Sequence, residues 1–237
     1  MLSDDIRKTL EEKYPYSLEL HAHTSPASGC ASISPVELLD VLHKNGCDAV
    51  AITNHFYKTD MEKAAYIEKF RKDYFDALEH GKRIGMKVYL GAELRFKNES
   101  GNDYLFYGYD AAQLEEMYGY LDGTLEEFVT DFKTDDMFIT QAHPFRGSGQ
   151  RGFEKFLDGI EAFNVNPDSN AKIVLAMKYA RQCGKPYFAG TDYHHLNEDF
   201  ERIAATRAPY IPENEYELVK LFKSGNYLCE VAGKILI

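Results

Sequence analysis

Short segments that are apolar at nearly every position alternate with longer amphipathic segments along most of the chain. The apolar segments are predicted to be strands, and they are Ser17–His21, Ala49–Thr53, Lys87–Ala92, Tyr104–Tyr107, Phe138–Gln141, Gly159–Phe163, Pro186–Ala189 and Tyr227–Val231. Nearly continuous apolar runs are typical of strands that are buried on both faces. The alternation therefore predicts an α/β fold with a largely parallel sheet.

The amphipathic segments carry helix-capping signals. Ser34-Pro35-Val36-Glu37 is a capping box with proline at the first helical position, and it opens a helix to about Lys44. Further helices are predicted at Met61–Ile84, from the capping box at Thr124, at Ala171–Gln182 and at Glu215–Lys223. Seven or eight strand–helix repeats favour a closed barrel, made irregular by a strand return within Phe96–Tyr109.

Composition and charge exclude several classes of protein. The chain has 237 residues, of which 44% are hydrophobic and 27% charged, and we interpret 1–237 as a single globular domain. Its formal net charge of −11 and the lack of a basic run argue against stable nucleic-acid binding. The four scattered cysteines form no C-x-x-C pair, and no segment resembles a signal peptide or a membrane span. These features predict a cytoplasmic protein with no membrane partner.

Imidazoles and carboxylates follow the predicted strands at their carboxyl ends. These candidate metal ligands are His21, His23, His55, Glu93, His143, Asp192 and His194. In a parallel barrel such strand ends converge on one mouth. Because residues i and i+2 of a strand point to the same side, His21 and His23 can face one metal. Imidazoles with carboxylates suit zinc, iron or manganese, and the two carboxylates would hold two cations close together.

The ordered motifs resemble those of the PHP (polymerase and histidinol phosphatase) family, from about Ser17 to His194. They are His21-Ala22-His23-Thr24, Ile52-Thr53-Asn54-His55, Gly91-Ala92-Glu93, Ala142-His143-Pro144 and Gly190-Thr191-Asp192-Tyr193-His194. The resemblance implies a distorted (β/α)7 TIM-like barrel that hydrolyses phosphoesters with two or three metals. By position it implies a first metal on His21, His23, Glu93 and Asp192, and a second on Glu93 and His143. His55 and His194 would serve a third metal or line the pocket.

The chain departs from the family pattern at three places. The stretch from Ser25 to Cys30 has no hard-metal ligand where the family has Asp or His. Asn54 stands where many relatives have Asp, and no histidine lies between Glu93 and His143, where Asp103 is a candidate substitute. We therefore expect two divalent ions (Zn, Mn or Fe), with a third as the alternative. Cys30 is either a soft ligand or a structural cysteine.

Residues beyond the metal ligands suggest how substrate is bound. Arg146 could clamp a phosphate through two hydrogen bonds, or be a surface arginine. The glycine-rich Gly147–Gly152 loop is interpreted as a mobile lid. Asn164 could position the substrate or a histidine, and His194 or His55 could protonate the leaving oxygen.

The predicted function is hydrolysis of a small phosphomonoester, or of a short nucleotide-type phosphoester, by a metal-bound hydroxide. One alternative is an amidohydrolase-like enzyme that cleaves C–N or C–O bonds, although those barrels commonly bridge their metals with a modified lysine where this chain has Glu93. The other is a metal-binding regulatory module without catalysis. The sequence carries no signal for oligomeric state.

Overall fold

A computed structural model describes residues 4–99, 101–166, 169–196 and 204–236. The helices are α1 Asp4–Lys13, α2 Pro35–Lys44, α3 Lys63–Ile84, α4 Leu114–Tyr120, α5 Leu125–Asp131, α6 Ile173–Cys183 and α7 Glu215–Ser224. The strands are β1 Tyr16–Ala22, β2 Ala49–Ile52, β3 His55–Phe56, β4 Lys87–Leu94, β5 Tyr104–Tyr107, β6 Phe138–Gln141, β7 Gly159–Asn164, β8 Tyr187–Gly190, β9 Ala204–Ala208, β10 Leu228–Val231 and β11 Lys234–Leu236. The predicted capping boxes at Ser34 and Thr124 are both present.

The strands form one sheet in the order β11-β10-β9-β1-β2-β4-β5-β6-β7-β8, and β3 pairs with β4. β1, β2 and β4 are parallel to one another, and so are β6, β7 and β8. β5 is antiparallel to both β4 and β6, so all six of these strands run the same way. The predicted strand return before Tyr109 is therefore confirmed, and six carboxyl strand ends lie on one rim.

The sheet is strongly curled, but the predicted closed barrel with seven strands is wrong: the barrel is open and its path contains ten strands. The reason is β9, which pairs antiparallel with β1 from Tyr16 to Leu18 and so occupies the edge that β8 would need for closure. Beyond β8 the chain still reaches β1 through a single bridge between Ala22 and Tyr193. The curl of the sheet thus brings the carboxyl end of β1 next to the segment that follows β8.

Aromatic packing holds the strands beneath this rim. Phe222 of α7 stacks on Phe188 of β8, with ring centroids 5.4 Å apart, and meets the edge of Tyr107 of β5 at 5.1 Å. All three side chains are fully buried. The contacts pack α7 against two strands, β5 and β8, that are far apart in the sequence. Within the described residues no helix is long and apolar enough to cross a lipid bilayer.

Candidate metal centre

The seven candidate ligands meet at the rim of carboxyl strand ends. Their donor atoms form three overlapping groups, and within each group the atoms lie within 4.8 Å of one another. The groups are His21, His23 and Asp192; His21, Glu93 and His143; and His23, His55 and His194. The predicted convergence of residues far apart in the sequence is therefore present in the structure.

Hydrogen bonds between the end of β1 and the loop after β8 bring Asp192 to the two histidines. The Asp192 amide donates to the carbonyl of His21 at 2.7 Å, and the His23 amide donates to the carbonyl of Tyr193 at 2.8 Å. Asp192 Oδ1 consequently lies 3.4 Å from Nε2 of His21 and 3.1 Å from Nε2 of His23. The backbone, rather than the flexible side chains, sets these distances.

Glu93 connects the groups. The parallel pairing of β3 with β4 sets His55 directly beside Glu93, and His55 Nδ1 lies 2.9 Å from Glu93 Oε2. The same oxygen is 3.3 Å from Nε2 of His23, while Glu93 Oε1 is 2.7 Å from Nε2 of His143. Nε2 of His21 is also 3.6 Å from Glu93 Oε2, so one carboxylate faces four imidazoles, an arrangement suited to a bridging ligand.

The hydrogen bonds of His21 and His23 fix which ring nitrogen faces the cluster. Nδ1 of His21 lies 2.8 Å from Oε1 of Glu161, and a carboxylate only accepts, so this Nδ1 carries the hydrogen. Nδ1 of His23 lies 3.1 Å from Oγ of Ser28, whose own hydrogen goes to Oδ1 of Asn54 at 2.8 Å. Nδ1 of His23 must therefore be the donor as well. In the neutral rings both Nε2 atoms then carry no hydrogen, and each has a lone pair that can bind a cation.

These two lone pairs face each other, since Nε2 of His21 and Nε2 of His23 are 3.1 Å apart. At the same point Glu93 Oε2 and Asp192 Oδ1 accept no well-directed hydrogen bond from the described residues, although imidazole nitrogens lie 2.9 and 3.1 Å away, and both residues are only 1% exposed. An unpaired buried carboxylate oxygen is costly unless it is paired with a cation. Two imidazole nitrogens with two carboxylate oxygens are a donor set that zinc, manganese and iron accept. The residues therefore fit a divalent cation.

The electrostatics show the same surplus of negative charge. Burial opposes a charge on His21, but the carboxylates of Glu161, Asp192 and Glu93 outweigh it and raise the pKa of His21 well above its usual value. Burial likewise opposes a charge on His55, yet Glu93 raises the pKa of that imidazole to about 10. The cluster therefore attracts cations, whether protons or metal ions.

Glu161 and Asn164 support the cluster from behind. Glu161 Oε2 accepts from the amide of His143 at 2.8 Å and from Nδ2 of Asn164 at 3.1 Å. Nδ2 of Asn164 is also 3.3 Å from Oδ2 of Asp192. Because Asn164 is buried and its amide nitrogen is engaged by two carboxylates, the structure favours a positioning role over direct contact with substrate. Sequence reasoning gave Glu161 no clear role, although it lies on a strand beside other site residues.

Arg146 also joins the cluster. One guanidinium nitrogen donates to Asp192 Oδ2, and the other lies 2.6 Å from Nε2 of His143. The side chain is 22% exposed, so it lies between the buried ligands and the opening. The alternative of an isolated surface arginine is wrong.

Two of the candidate ligands have left-handed backbone conformations. His143 has a φ of 26° and Asp192 a φ of 57°, and Phe145, next to Arg146, has a φ of 72°. Such angles are uncommon for residues with a side chain, and they occur preferentially at functional sites. These turns direct the side chains of His143 and Asp192 into the cluster. No pattern in the sequence predicted the positive φ angles.

The departures from the family pattern have a structural outcome. Asn54 does not face the cluster: its Oδ1 accepts from the amide of Thr24 at 2.7 Å, and its Nδ2 donates to Thr24 Oγ1 at 2.8 Å. Asp103, the candidate substitute ligand, instead pairs with Arg95 through contacts of 2.6 and 2.9 Å. It therefore does not supply a ligand to the cluster.

Two further sequence features lie near the rim. Cys30 is exposed, so the expectation of a buried structural cysteine is wrong. Partial burial raises the pKa of its thiol, but hydrogen bonds with His194 and His55 outweigh this and lower the pKa to about 6. The Gly147–Gly152 loop, predicted to be a mobile lid, is anchored by side chains of neighbouring segments. Gln141 Oε1 accepts from the amide of Gly152, and Asn102 Oδ1 accepts from the amide of Gln150, both at 2.9 Å.

Comparison with known proteins identifies the fold. No family model matches the chain, and no curated protein matches it significantly. A solved two-domain protein from Bacteroides vulgatus, described as containing a predicted PHP-like metal-dependent phosphoesterase, superimposes with a TM-score of 0.70 at 14% identity. The chain has the PHP-like fold. The match covers 93% of this chain and 66% of the two-domain protein, so the chain spans just under two thirds of that relative.

Two other solved structures match the chain less well. A putative metal-dependent phosphoesterase from Bifidobacterium adolescentis gives a TM-score of 0.50 at 15% identity, over 75% of this chain and 87% of that chain. An amidohydrolase from Chromobacterium violaceum, with bound sulfate and no metal, gives 0.50 at 13%, over 78% of this chain and 90% of that chain. At these identities the shared property is the fold. The predicted resemblance to PHP-like structures is confirmed at that level.

Proposed function

We propose that the chain is a metal-dependent phosphoesterase that hydrolyses a small phosphomonoester or a short nucleotide-type phosphoester. One observation carries the proposal: the facing Nε2 atoms of His21 and His23 converge with unpaired carboxylate oxygens of Glu93 and Asp192. The descriptions of the PHP-like neighbours as phosphoesterases support the reaction class.

Two divalent cations are the proposed complement. The first would use His21, His23, Glu93 and Asp192, and the second Glu93 and His143. When bound, such cations lower the pKa of water and neutralise charge on a phosphate. The remaining group of His23, His55 and His194 contains no carboxylate and shares His23 with the first site. A third ion is therefore the alternative.

Arg146 is the proposed phosphate clamp. Its guanidinium presents two N–H groups in one plane, which match two phosphate oxygens. It lies beside Asp192 and His143 and is partly exposed at the opening. A phosphate that reached the candidate ligands would pass within hydrogen-bonding distance of it.

His194 is the proposed proton donor to the leaving oxygen, with His55 as the second candidate. The two side chains are 13% and 14% exposed, whereas the other candidate ligands are buried. Nδ1 of His194 donates to the carbonyl of Asp192 at 2.8 Å, so Nε2 is the ring nitrogen that would deliver a proton. Burial opposes a charge on His194, but the hydrogen bond with Cys30 and the carboxylate of Asp192 outweigh it and raise the pKa of the imidazole, which favours its protonated form.

The proposed partner is a small phosphorylated molecule, since a net charge of −11 disfavours long polyanions. The test is turnover of a panel of small phosphate esters by protein loaded with manganese or zinc. We expect hydrolysis that falls at least about a hundredfold in His143→Ala and Asp192→Asn. The matched control is His43→Ala, because His43 is exposed on α2.

Two outcomes would overturn the proposal. Cleavage of amides or lactones without any turnover of phosphate esters would favour the amidohydrolase alternative. The sequence disfavours that alternative, because Glu93 stands where a modified lysine would be expected. Tight metal binding with no hydrolysis in any ester class would identify a regulatory module.

A further inference from the structure

The guanidinium of Arg146 directly contacts the side chains of two candidate metal ligands, Asp192 and His143. We propose that Arg146 competes with the second divalent cation, so that loading of this cation releases the arginine to bind the substrate anion. The inference rests on the proposed function, since it concerns the same site. It adds an order of events to that function.

The geometry places one nitrogen atom at the centre of the competition. Nε2 of His143 lies 2.7 Å from Oε1 of Glu93 and 2.6 Å from a guanidinium nitrogen of Arg146. The second guanidinium nitrogen donates to Oδ2 of Asp192. Arg146 therefore contacts one proposed ligand of each cation: Asp192 of the first and His143 of the second.

Counting hydrogens shows that these contacts exclude one another. A guanidinium only donates hydrogen bonds, so Nε2 of His143 must offer a lone pair to bond with Arg146. A carboxylate only accepts, so the same Nε2 must carry a hydrogen to bond with Glu93. It cannot do both. A divalent cation that used Glu93 Oε1 and His143 Nε2 as ligands would consume the lone pair that Arg146 needs. Like charge would also push the guanidinium away.

The displaced side chain would have a place to go. Arg146 is 22% exposed, and the other contact of its guanidinium with a described residue is a long one of 3.5 Å to Oγ of Ser169. Moving outward would point the guanidinium fork towards the opening, where a phosphate enters. The arginine would then be available to an anion only after the second cation has bound. Such coupling between two ligands is reciprocal.

The test measures metal affinity rather than activity. Chelator-treated wild type, Arg146→Gln and Arg151→Gln are titrated with manganese by calorimetry. Arg151 is the matched control because it lies five residues further along and pairs with Glu154 at 2.6 Å. We expect Arg146→Gln to tighten the weaker class of sites at least about tenfold, because a charge-assisted hydrogen bond no longer has to be broken. Arg151→Gln should leave both classes within about twofold.

A spectroscopic readout covers the case in which Arg146→Gln fails to fold. The guanidinium NMR resonance of Arg146 is identified by its loss in Arg146→Lys, which keeps the charge. In wild type we expect this resonance to move as the second equivalent of metal is added, and not the first. A resonance that ignores the second equivalent would overturn the inference.

The failures of the two proposals are distinguishable. Hydrolysis of phosphate esters by wild type, together with an unchanged or weakened second site in Arg146→Gln, would overturn the competition and leave the proposed function standing. Tightening in Arg146→Gln with no hydrolysis by wild type would do the reverse.

Discussion

Nδ1 of His21 donates a hydrogen bond to Oε1 of Glu161 across 2.8 Å, and both side chains are fully buried. This bond points Nε2 of His21 into the cluster and fixes its tautomer. The other oxygen of Glu161 accepts from the amide of His143. One carboxylate that is not itself in the cluster therefore orients two candidate ligands from different strands.

Glu161→Gln should weaken metal binding by about 10–100-fold, the usual effect of losing a group that orients a ligand. A glutamine amide can accept from either His21 Nδ1 or the His143 amide, but its NH₂ then opposes the other donor. Calorimetric titration with zinc measures the effect. Glu154→Gln is the control, since Glu154 is exposed and its carboxylate pairs with Arg151, away from the cluster. Equal affinities for the two variants would contradict a positioning role for Glu161.

Gly190→Ala should disrupt the same arrangement from the backbone side. A Cβ at Gly190 would lie 2.7 Å from both the Cβ of His21 and Oε1 of Glu161, closer than real contacts allow. We expect loss of metal affinity and a lower melting temperature. Gly119→Ala in α4 is the control, because a Cβ there meets nothing within 4 Å and alanine favours a helix. If both variants behaved like wild type, the packing around His21 would not be tight.

Metal affinity should rise with pH. The pKa of His55 is raised to about 10, so below that value the metal-free ring holds a proton that a cation must displace. His21 is raised in the same direction. Each displaced proton contributes up to about tenfold in affinity per pH unit between about pH 6 and pH 9. Titrations in buffers of different ionisation enthalpy count the protons, and His55→Gln should reduce the slope. A pH-independent affinity would contradict the release of protons from these two rings on metal binding.

Asn54→Asp should destabilise the protein by about 1–3 kcal/mol. Thr24 Oγ1 gives its hydrogen to Asp73, so a carboxylate oxygen in place of Nδ2 of Asn54 would face a lone pair inside the core. Thermal denaturation measures the loss. Asn226→Asp is the control, since Asn226 is exposed and its side-chain Oδ1 accepts from the Tyr14 hydroxyl, which a carboxylate oxygen can also do. A stable Asn54→Asp variant with an additional metal would instead return this position to the ligand set.

The sequence was informative where the fold follows from hydrophobic periodicity. His21, Glu93 and His143 each lie at or just beyond the carboxyl end of a buried strand, and parallel strands bring such ends together without any knowledge of distant contacts. Strand pairing was harder to predict from the sequence. β9 has the sequence Ala-Ala-Thr-Arg-Ala, too weakly apolar to be predicted as a strand, and its pairing with β1 is what keeps the barrel open.

The role of Glu161 could not be predicted for a different reason. It acts through contacts with His143 and His21, which lie 18 and 140 residues away in the sequence. Arg146 was a candidate phosphate clamp, but its contact with Asp192, 46 residues away, was not predicted. The positive φ angles of His143 and Asp192 arise from turns whose sequences contain no glycine at those positions. The resemblance in motifs also suggested Asp103 as a ligand, but its carboxylate forms a salt bridge with Arg95 instead.

The central claim is that a cation binds between His21 and His23. Anomalous diffraction from crystals of chelator-treated protein soaked in zinc tests it most directly. The account predicts a strong peak about 2.0–2.2 Å from Nε2 of both histidines and from carboxylate oxygens of Glu93 and Asp192. Peaks confined to surface pairs such as His80 with Asp40, with none between the two imidazoles, would contradict it.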